Sequence, residues 1–273
     1  MLKKRIVFTL LYDCEYFVLS RNFRLQKVGK LDWLEKHYGF SHIAFYIDEL
    51  VVLDVTRGQK DSSRFCANLE ALTQGCFVPI AAGGGVRNVS DARRLLHSGA
   101  DKVIVNTALF DNPDVLVDLT SAFGQQCIIG SVDIKKDELG NHRIYTNNGS
   151  QAVDCTPRKT LAQLPPDTIG ELYLNSIDKD GTGQGYDLDL LDLLPEEWST
   201  PVILAGGVGN SSHLIAGLHD PRVDATATAH LFNFVGDGLQ KTRDAVQNDG
   251  ISLATWPSLK QLALHSPPDL SLS

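Results

Sequence analysis

No CxxC pair, no H-x-H or H-E-x-x-H spacing, no block of basic charge and no apolar stretch of membrane length occurs in these 273 residues. Each absence removes a class. The five cysteines (Cys14, Cys66, Cys76, Cys127 and Cys155) are scattered and odd in number. That argues against a disulfide frame or a zinc site and for reduced thiols in the cytoplasm. Without paired spacing among the eight histidines, no metal site is expected. Lys and Arg total 25 against 33 Asp and Glu, a net charge of −8. Nucleic-acid binding rests on neutralising phosphates, so neither a nucleic acid nor, given the short apolar runs, a membrane is an expected partner. Any anion site must be local. The N-terminus starts as a secretory signal would, with Lys3, Lys4 and Arg5 before an apolar run. The run is short, stops at Asp13 and lacks a small-residue cleavage site, so it reads as a buried strand.

What is present is an alternation. Short Val- and Ile-rich runs predict strands at Arg5–Tyr12, Glu49–Val55, Val78–Ala82, Lys102–Val105, Cys127–Ile134, Glu171–Ser176, Pro201–Ala205 and Ala225–Ala229. Helical patterns fall between them, as at Ser90–His97, Pro113–Phe123, Leu188–Leu194 and Asn210–Leu218. Near-continuous apolar strands alternating with helices indicate a parallel sheet with both faces covered. Eight such units suit a closed (β/α)₈ TIM barrel; an open doubly wound sheet is the rival. A repeat separates the two. VPIAAGGGVRNVSDARRLLHSGAD (Val78–Asp101) matches TPVILAGGVGNSSHLIAGLHDPRVD (Thr200–Asp224), and IDELVVLDVTRG (Ile47–Gly58) matches GELYLNSIDKDG (Gly170–Gly181). Equivalent positions lie about 122–124 residues apart, near half the chain. A half-barrel duplicated end to end explains this, and an open sheet does not require it. The expected organisation is one barrel over residues 1–250 and an extension over 251–273 whose end is poorly ordered. Lys135–Gly149 has turn chemistry at both ends and is expected to form a hairpin over the barrel mouth.

Two glycine clusters stand at equivalent strand ends: Gly83-Gly84-Gly85 after the third strand and Gly206-Gly207 after the seventh. Without Cβ, successive N–H groups can converge on a phosphate, and a helix N-terminus adds a favourable dipole. Asn106, Thr107 and Thr228 could add side-chain donors. The plainer reading is that the glycines only make tight turns. Their recurrence in both halves favours phosphate, hence a substrate phosphorylated at both ends.

The runs RIVFTLL, IDELVVLDVT, GGGV, GADKVIVNTALF, SVDIKK, LNSIDKDGTGQGYD and ILAGGVGN resemble the HisF family, the cyclase subunit of imidazole glycerol phosphate synthase. The similarity extends from Met1 to about Gly250, with a small insertion near Phe40–Ala44. The resemblance implies a HisH-like glutaminase partner on the N-terminal face of the barrel. Ammonia from it enters the barrel floor, travels inside and reacts at the top with a doubly phosphorylated ribulosyl-aminoimidazole compound. No cofactor is implied. The family's four-charge ammonia gate maps onto Arg5, Glu49, Lys102 and Glu171 with residue types retained. Strand parity agrees: Lys102 shares a face with Asn106, and Glu171 with Asn175, so the charges point inward and must pair. A purely structural salt-bridge plug is the alternative.

Of the family's two catalytic aspartates, Asp133 matches the strand-five acid, whereas Leu11 stands where the strand-one base should be. Leu19 stands where the family has a phosphate-side lysine on the first loop. Asp13 shares parity with Leu11 and could lean into the site. Asp180 matches another active-site carboxylate, Gly181 follows it in the same motif, and Asn175 replaces a threonine. His230, after the last strand, either contacts substrate or is solvated. The pair Leu10-Leu11 also resembles barrel proteins associated with glycosyl amidation, which work beside a glutaminase-like partner and a separate sugar amidotransferase on surface polysaccharide. Three functions follow: an ammonia-delivering subunit specialised away from histidine synthesis, a working cyclase and lyase, and a non-catalytic scaffold for the glutaminase.

Overall fold

A computed structural model describes residues 3–38, 44–229 and 237–254. Twelve strands occur among them. The barrel staves are β1 (Arg5–Asp13), β4 (Glu49–Asp54), β5 (Ile80–Gly83), β6 (Lys102–Val105), β7 (Ile128–Lys136), β10 (Glu171–Ser176), β11 (Val202–Ala205) and β12 (Ala225–Thr228). All eight pair in parallel, and β12 returns to β1 with Arg5 opposite Ala225, so the barrel closes. An open sheet is excluded.

The closed barrel divides the apolar residues into two cores, because successive side chains on a strand point to opposite faces. Val7, Val51, Ala81, Ile129, Ile203 and Ala225 fill the interior. Their neighbours Ile6, Leu50, Ile80, Ile128, Leu204 and Val103 pack outward against the helices. Both faces are dry, which is why the strands read as unbroken apolar runs. The helical layer includes α1 (Leu31–Tyr38), α2 (Ser62–Gly75), α3 (Val89–His97), α4 (Ala108–Asp111), α5 (Asp114–Phe123), α6 (Pro157–Ala162), α7 (Ser211–His219) and α8 (Gly238–Asn248). No helix of the described residues is long and apolar enough to cross a membrane.

Leu188–Leu193 forms 3₁₀ rather than α-helix. The segment has room for under two α-turns before Pro195, whose ring forbids continuation, and no side chain caps its start. The 135–149 hairpin forms as expected: β7 extends to Lys136 and pairs antiparallel with β8 (His142–Thr146), followed by β9 (Gln151–Ala152). A second hairpin was not anticipated. β2 (Tyr16–Arg21) and β3 (Arg24–Gly29) follow β1 directly and turn at Asn22-Phe23, both left-handed at φ of 50° and 61°. The order of the last residues, His230 and all but Ala44 of the insertion near Phe40–Ala44 lie outside the described residues.

Candidate active site

At the floor, the four inward charges close a ring. Arg5 bonds Glu49 at 2.8 Å and also pairs with Glu171. Lys102 reaches Glu49 at 3.0 Å and Glu171 at 2.8 Å. Each cation touches both anions. The Glu49 side chain is only 2% exposed, and burial pushes its carboxyl above the usual range despite Lys102 and Arg5. Glu171 experiences burial as well, but its two cations outweigh it and hold it low. Above the ring lie the interior apolar side chains. Next comes a hydrogen bond of 3.0 Å between Thr9 Oγ1 and the Tyr173 hydroxyl.

The opposite end opens into a cavity of about 410 Å³. Asp133, Asp180, Gly84, Gly85, Asn106, Thr107, Asn175, Gly181, Gly206 and Gly207 all line it. Asp133 enters it from β7. The Nδ2 groups of Asn175 and Asn106 donate to its two oxygens at 2.8 and 2.9 Å. Burial raises its pKa to about 6 against those donors, with the Asp180 charge adding to the rise. A carboxyl so placed is ionised at neutral pH but protonates readily, as proton transfer requires.

The glycine turns repeat in detail. Gly84 and Gly85 have φ of 118° and 95°, and Gly206 and Gly207 have 88° and 105°. A Cβ at Gly84 would strike the Asp54 carbonyl, and one at Gly207 the Gly185 carbonyl, so only glycine fits. Each turn leads to an asparagine cap: Asn88 accepts from Asp91 N at 3.0 Å and Asn210 from His213 N at 3.1 Å. The caps start α3 and α7, whose N-termini therefore face the mouth from opposite halves.

Asp180 is engaged with the first hairpin. It accepts from Ser20 Oγ at 2.5 Å and from Phe23 N at 3.1 Å, and burial raises its pKa over those bonds. Asn22 N donates to its carbonyl at 2.9 Å. The hairpin thus lies over the mouth and brings Leu19, Ser20, Phe23 and Leu25 into the lining.

Two expected side chains are elsewhere. Thr228 alternates with the inward Ala227, pairs with outward Phe8, and is absent from the lining, so its side chain faces the helical layer. Asp13 also does not line the cavity, whereas Leu11 does. The chain reverses at Cys14 and Glu15, and Asp13 pairs with Tyr16 in the hairpin's base. Sequence reading missed Arg57, Lys60 and Arg87, which all line the mouth. No motif flags them; a loop lysine two residues past Gly58 is ordinary until the fold lays it across Gly85. No group of His, Cys, Asp and Glu among the described residues is arranged to hold a metal.

A parallel (β/α)₈ barrel made of two like halves, with its polar cluster at the carboxyl ends of the strands, sets the class of protein. Within that class, the model of the family described as "Histidine biosynthesis protein" matches residues 41–235. A protein of Parasynechococcus marenigrum (strain WH8102), provisionally named imidazole glycerol phosphate synthase subunit hisF2, is 45% identical over 267 residues, 97% of this chain and 99% of that protein. The chain belongs to the HisF family and is a HisF-like cyclase-type subunit.

Proposed function

We propose that this chain is the ammonia-receiving subunit of a glutamine amidotransferase assembly, specialised away from histidine synthesis. A HisH-like glutaminase docks on the N-terminal face, ammonia passes the ring of Arg5, Glu49, Lys102 and Glu171, and the mouth uses it on a phosphorylated sugar-type substrate or hands it to a sugar amidotransferase. The observation that carries the reading is the pairing of a complete floor ring with a single-sided mouth. At the mouth Asp133 has a tuned carboxyl, but the matching position across the barrel is Leu11, a lining side chain with no proton to give or take. Cyclisation and lyase cleavage need an acid and a base on opposite sides of the substrate. Asp180 cannot supply the second group while its carboxylate holds Ser20 and Phe23. Ammonia transfer needs only the neutral molecule delivered to an electrophile, with Asp133 as the one acid–base group.

The test combines purified chain, ammonium salt and the doubly phosphorylated ribulosyl-aminoimidazole substrate. The expected result is no turnover by the parent and gain of turnover in Leu11→Asp. Turnover by the parent would establish instead the histidine-pathway cyclase, the reading that the retained Asp133 and both glycine turns favour. Titration with the glutaminase encoded beside the chain should give a complex and stimulated glutaminase activity. Absence of both would remove the partner.

A further inference from the structure

The two halves share their turns and caps but not their charge. At equivalent places after the glycine pairs, the first half carries Arg87 and the second Gly209. With Gly58 set on Gly181, Arg57 stands where the second half has Asp180, and Lys60 where it has Gly183. The cavity lining follows suit. Arg57, Lys60 and Arg87 line the cavity together with Gly84, Gly85 and Asp54; Lys60 pairs with Asp54, whereas Arg57 Nη2 donates to the Phe23 carbonyl at 2.7 Å. The lining around Gly206 and Gly207 contains Asp180; the lysine of that loop, Lys179, packs its Cβ 2.9 Å from where a Gly207 Cβ would stand but is not itself part of the lining.

Lys60 is the cation built into this end. Its stem lies over Gly85, where an added Cβ would stand 3.4 Å from Lys60 Cδ. Its Nζ donates to the Asp54 carbonyl at 2.5 Å and lies 3.3 Å from Asp54 Oδ1. Asp54 is itself fixed, buried to 5% exposure and accepting from Thr56 N at 2.9 Å. An ammonium has three donors. Two are turned to Asp54, and the third has no acceptor among the described residues. Holding the group in one place removes most of the entropy a free lysine would lose on binding. We infer that Lys60 is the specificity residue that selects a dianionic phosphate monoester for the Gly84–Gly85 end of the mouth. At the Gly206–Gly207 end, by contrast, the cavity lining among the described residues holds backbone N–H groups and a helix dipole, with Lys179 packed behind Gly207 rather than lining the cavity. The inference rests on the reading that the mouth takes a phosphorylated ligand.

Inorganic phosphate is the probe, titrated calorimetrically into the full chain without glutaminase or ammonia. Failure of the partner or turnover experiments therefore leaves this one intact. Lys60→Gln should weaken phosphate by about tenfold or more, since a charge-assisted bond is lost. Lys60→Arg should stay within about threefold of the parent, because charge and reach are kept. A crystal of the parent soaked in phosphate should show the anion at Gly84–Gly85 within hydrogen-bond distance of Lys60 Nζ, an arm that decides the matter even if Lys60→Gln fails to fold. Equal affinity in the parent and Lys60→Gln, no phosphate binding by the parent, or an anion bound only at Gly206–Gly207 would each overturn it.

Discussion

Replacing Lys102 by methionine keeps most of its volume and removes one of the two cations of the floor ring. Glu49 and Glu171 then share Arg5 alone, which already contacts both. Breaking a buried ion pair by deleting one partner costs about 3–5 kcal/mol, because the charge left behind is uncompensated. Arg5 remains and the two cations are 24% and 20% exposed, so solvent screening brings the cost to the bottom of that range or just below it, about 2–3 kcal/mol. For a domain of this size that is a fall in Tm of about 5–10 °C. The deficit should also depend on pH in a defined direction. Glu49 already titrates above its ordinary value through burial, and loss of Lys102, the stronger of the two cations lowering it, lifts it further. A carboxyl raised in the folded state binds more protons there than in the unfolded chain. Its favourable contribution is present below the unfolded pKa and is lost as pH rises through the folded one. The deficit of Lys102→Met is therefore small in mild acid, grows upward from about pH 4.3, and levels off above the raised value. Calorimetric melts from mild acid to mild alkali read this directly. Adding Glu49→Gln should return part of the loss, since it removes the stranded charge. A Tm within about 1 °C of the parent at neutral pH, or a deficit that ignores pH, would refute the electrostatic account of the ring.

Carbon-detected carboxyl titration should find Asp133 near its pKa of about 6, and Asn106→Ala should raise it by removing a donor to the charged form. Because this pKa rises from 3.8 to about 6 on folding, the group's contribution declines across that window as pH increases. The gain in stability of Asp133→Asn over the parent should then be larger at neutral pH than in acid; the reverse order would contradict the assignment. Gly181→Ala places a side chain at φ of 67° and drives its Cβ into the Ser20 carbonyl. It should lower the unfolding free energy by about 1 kcal/mol or more and speed amide exchange at Asn22, whose N–H bonds Asp180 O. Unchanged protection at Asn22 would dissociate the glycine from the hairpin.

The eight staves were legible because a barrel buries both faces of each strand, and the 122-residue repeat made closure the natural arrangement. Inward pairing of Arg5, Glu49, Lys102 and Glu171 followed from parity anchored at polar mouth residues. The same device failed at β12, where Ala225, Thr226, Ala227 and Thr228 are all buried. With no charged or exposed position to fix the phase, threonine was the natural choice for a donor, yet the narrow interior takes the alanines. The first hairpin escaped notice because its turn is Asn22-Phe23, and phenylalanine at positive φ carries none of the usual glycine signal. Once that hairpin forms, Asp13 belongs to its base and Asp180 to its anchorage, neither of which follows from spacing. Lys60 depended on a contact across two loops, the kind of information that local pattern does not hold.

Near-twofold repetition has a consequence for any ligand with similar groups at both ends. A cup made of two equal halves offers two poses related by half a turn, and only one can present a given bond to Asp133. The identical asparagine caps and glycine pairs would leave those poses nearly equal in energy. Lys60 over Gly85 on one side, against Asp180 on the other, would lift that degeneracy. A difference of about 1.4 kcal/mol already sets a tenfold preference, so for a doubly phosphorylated ligand the lost symmetry would act as an orientation code: two like seats, told apart by charge.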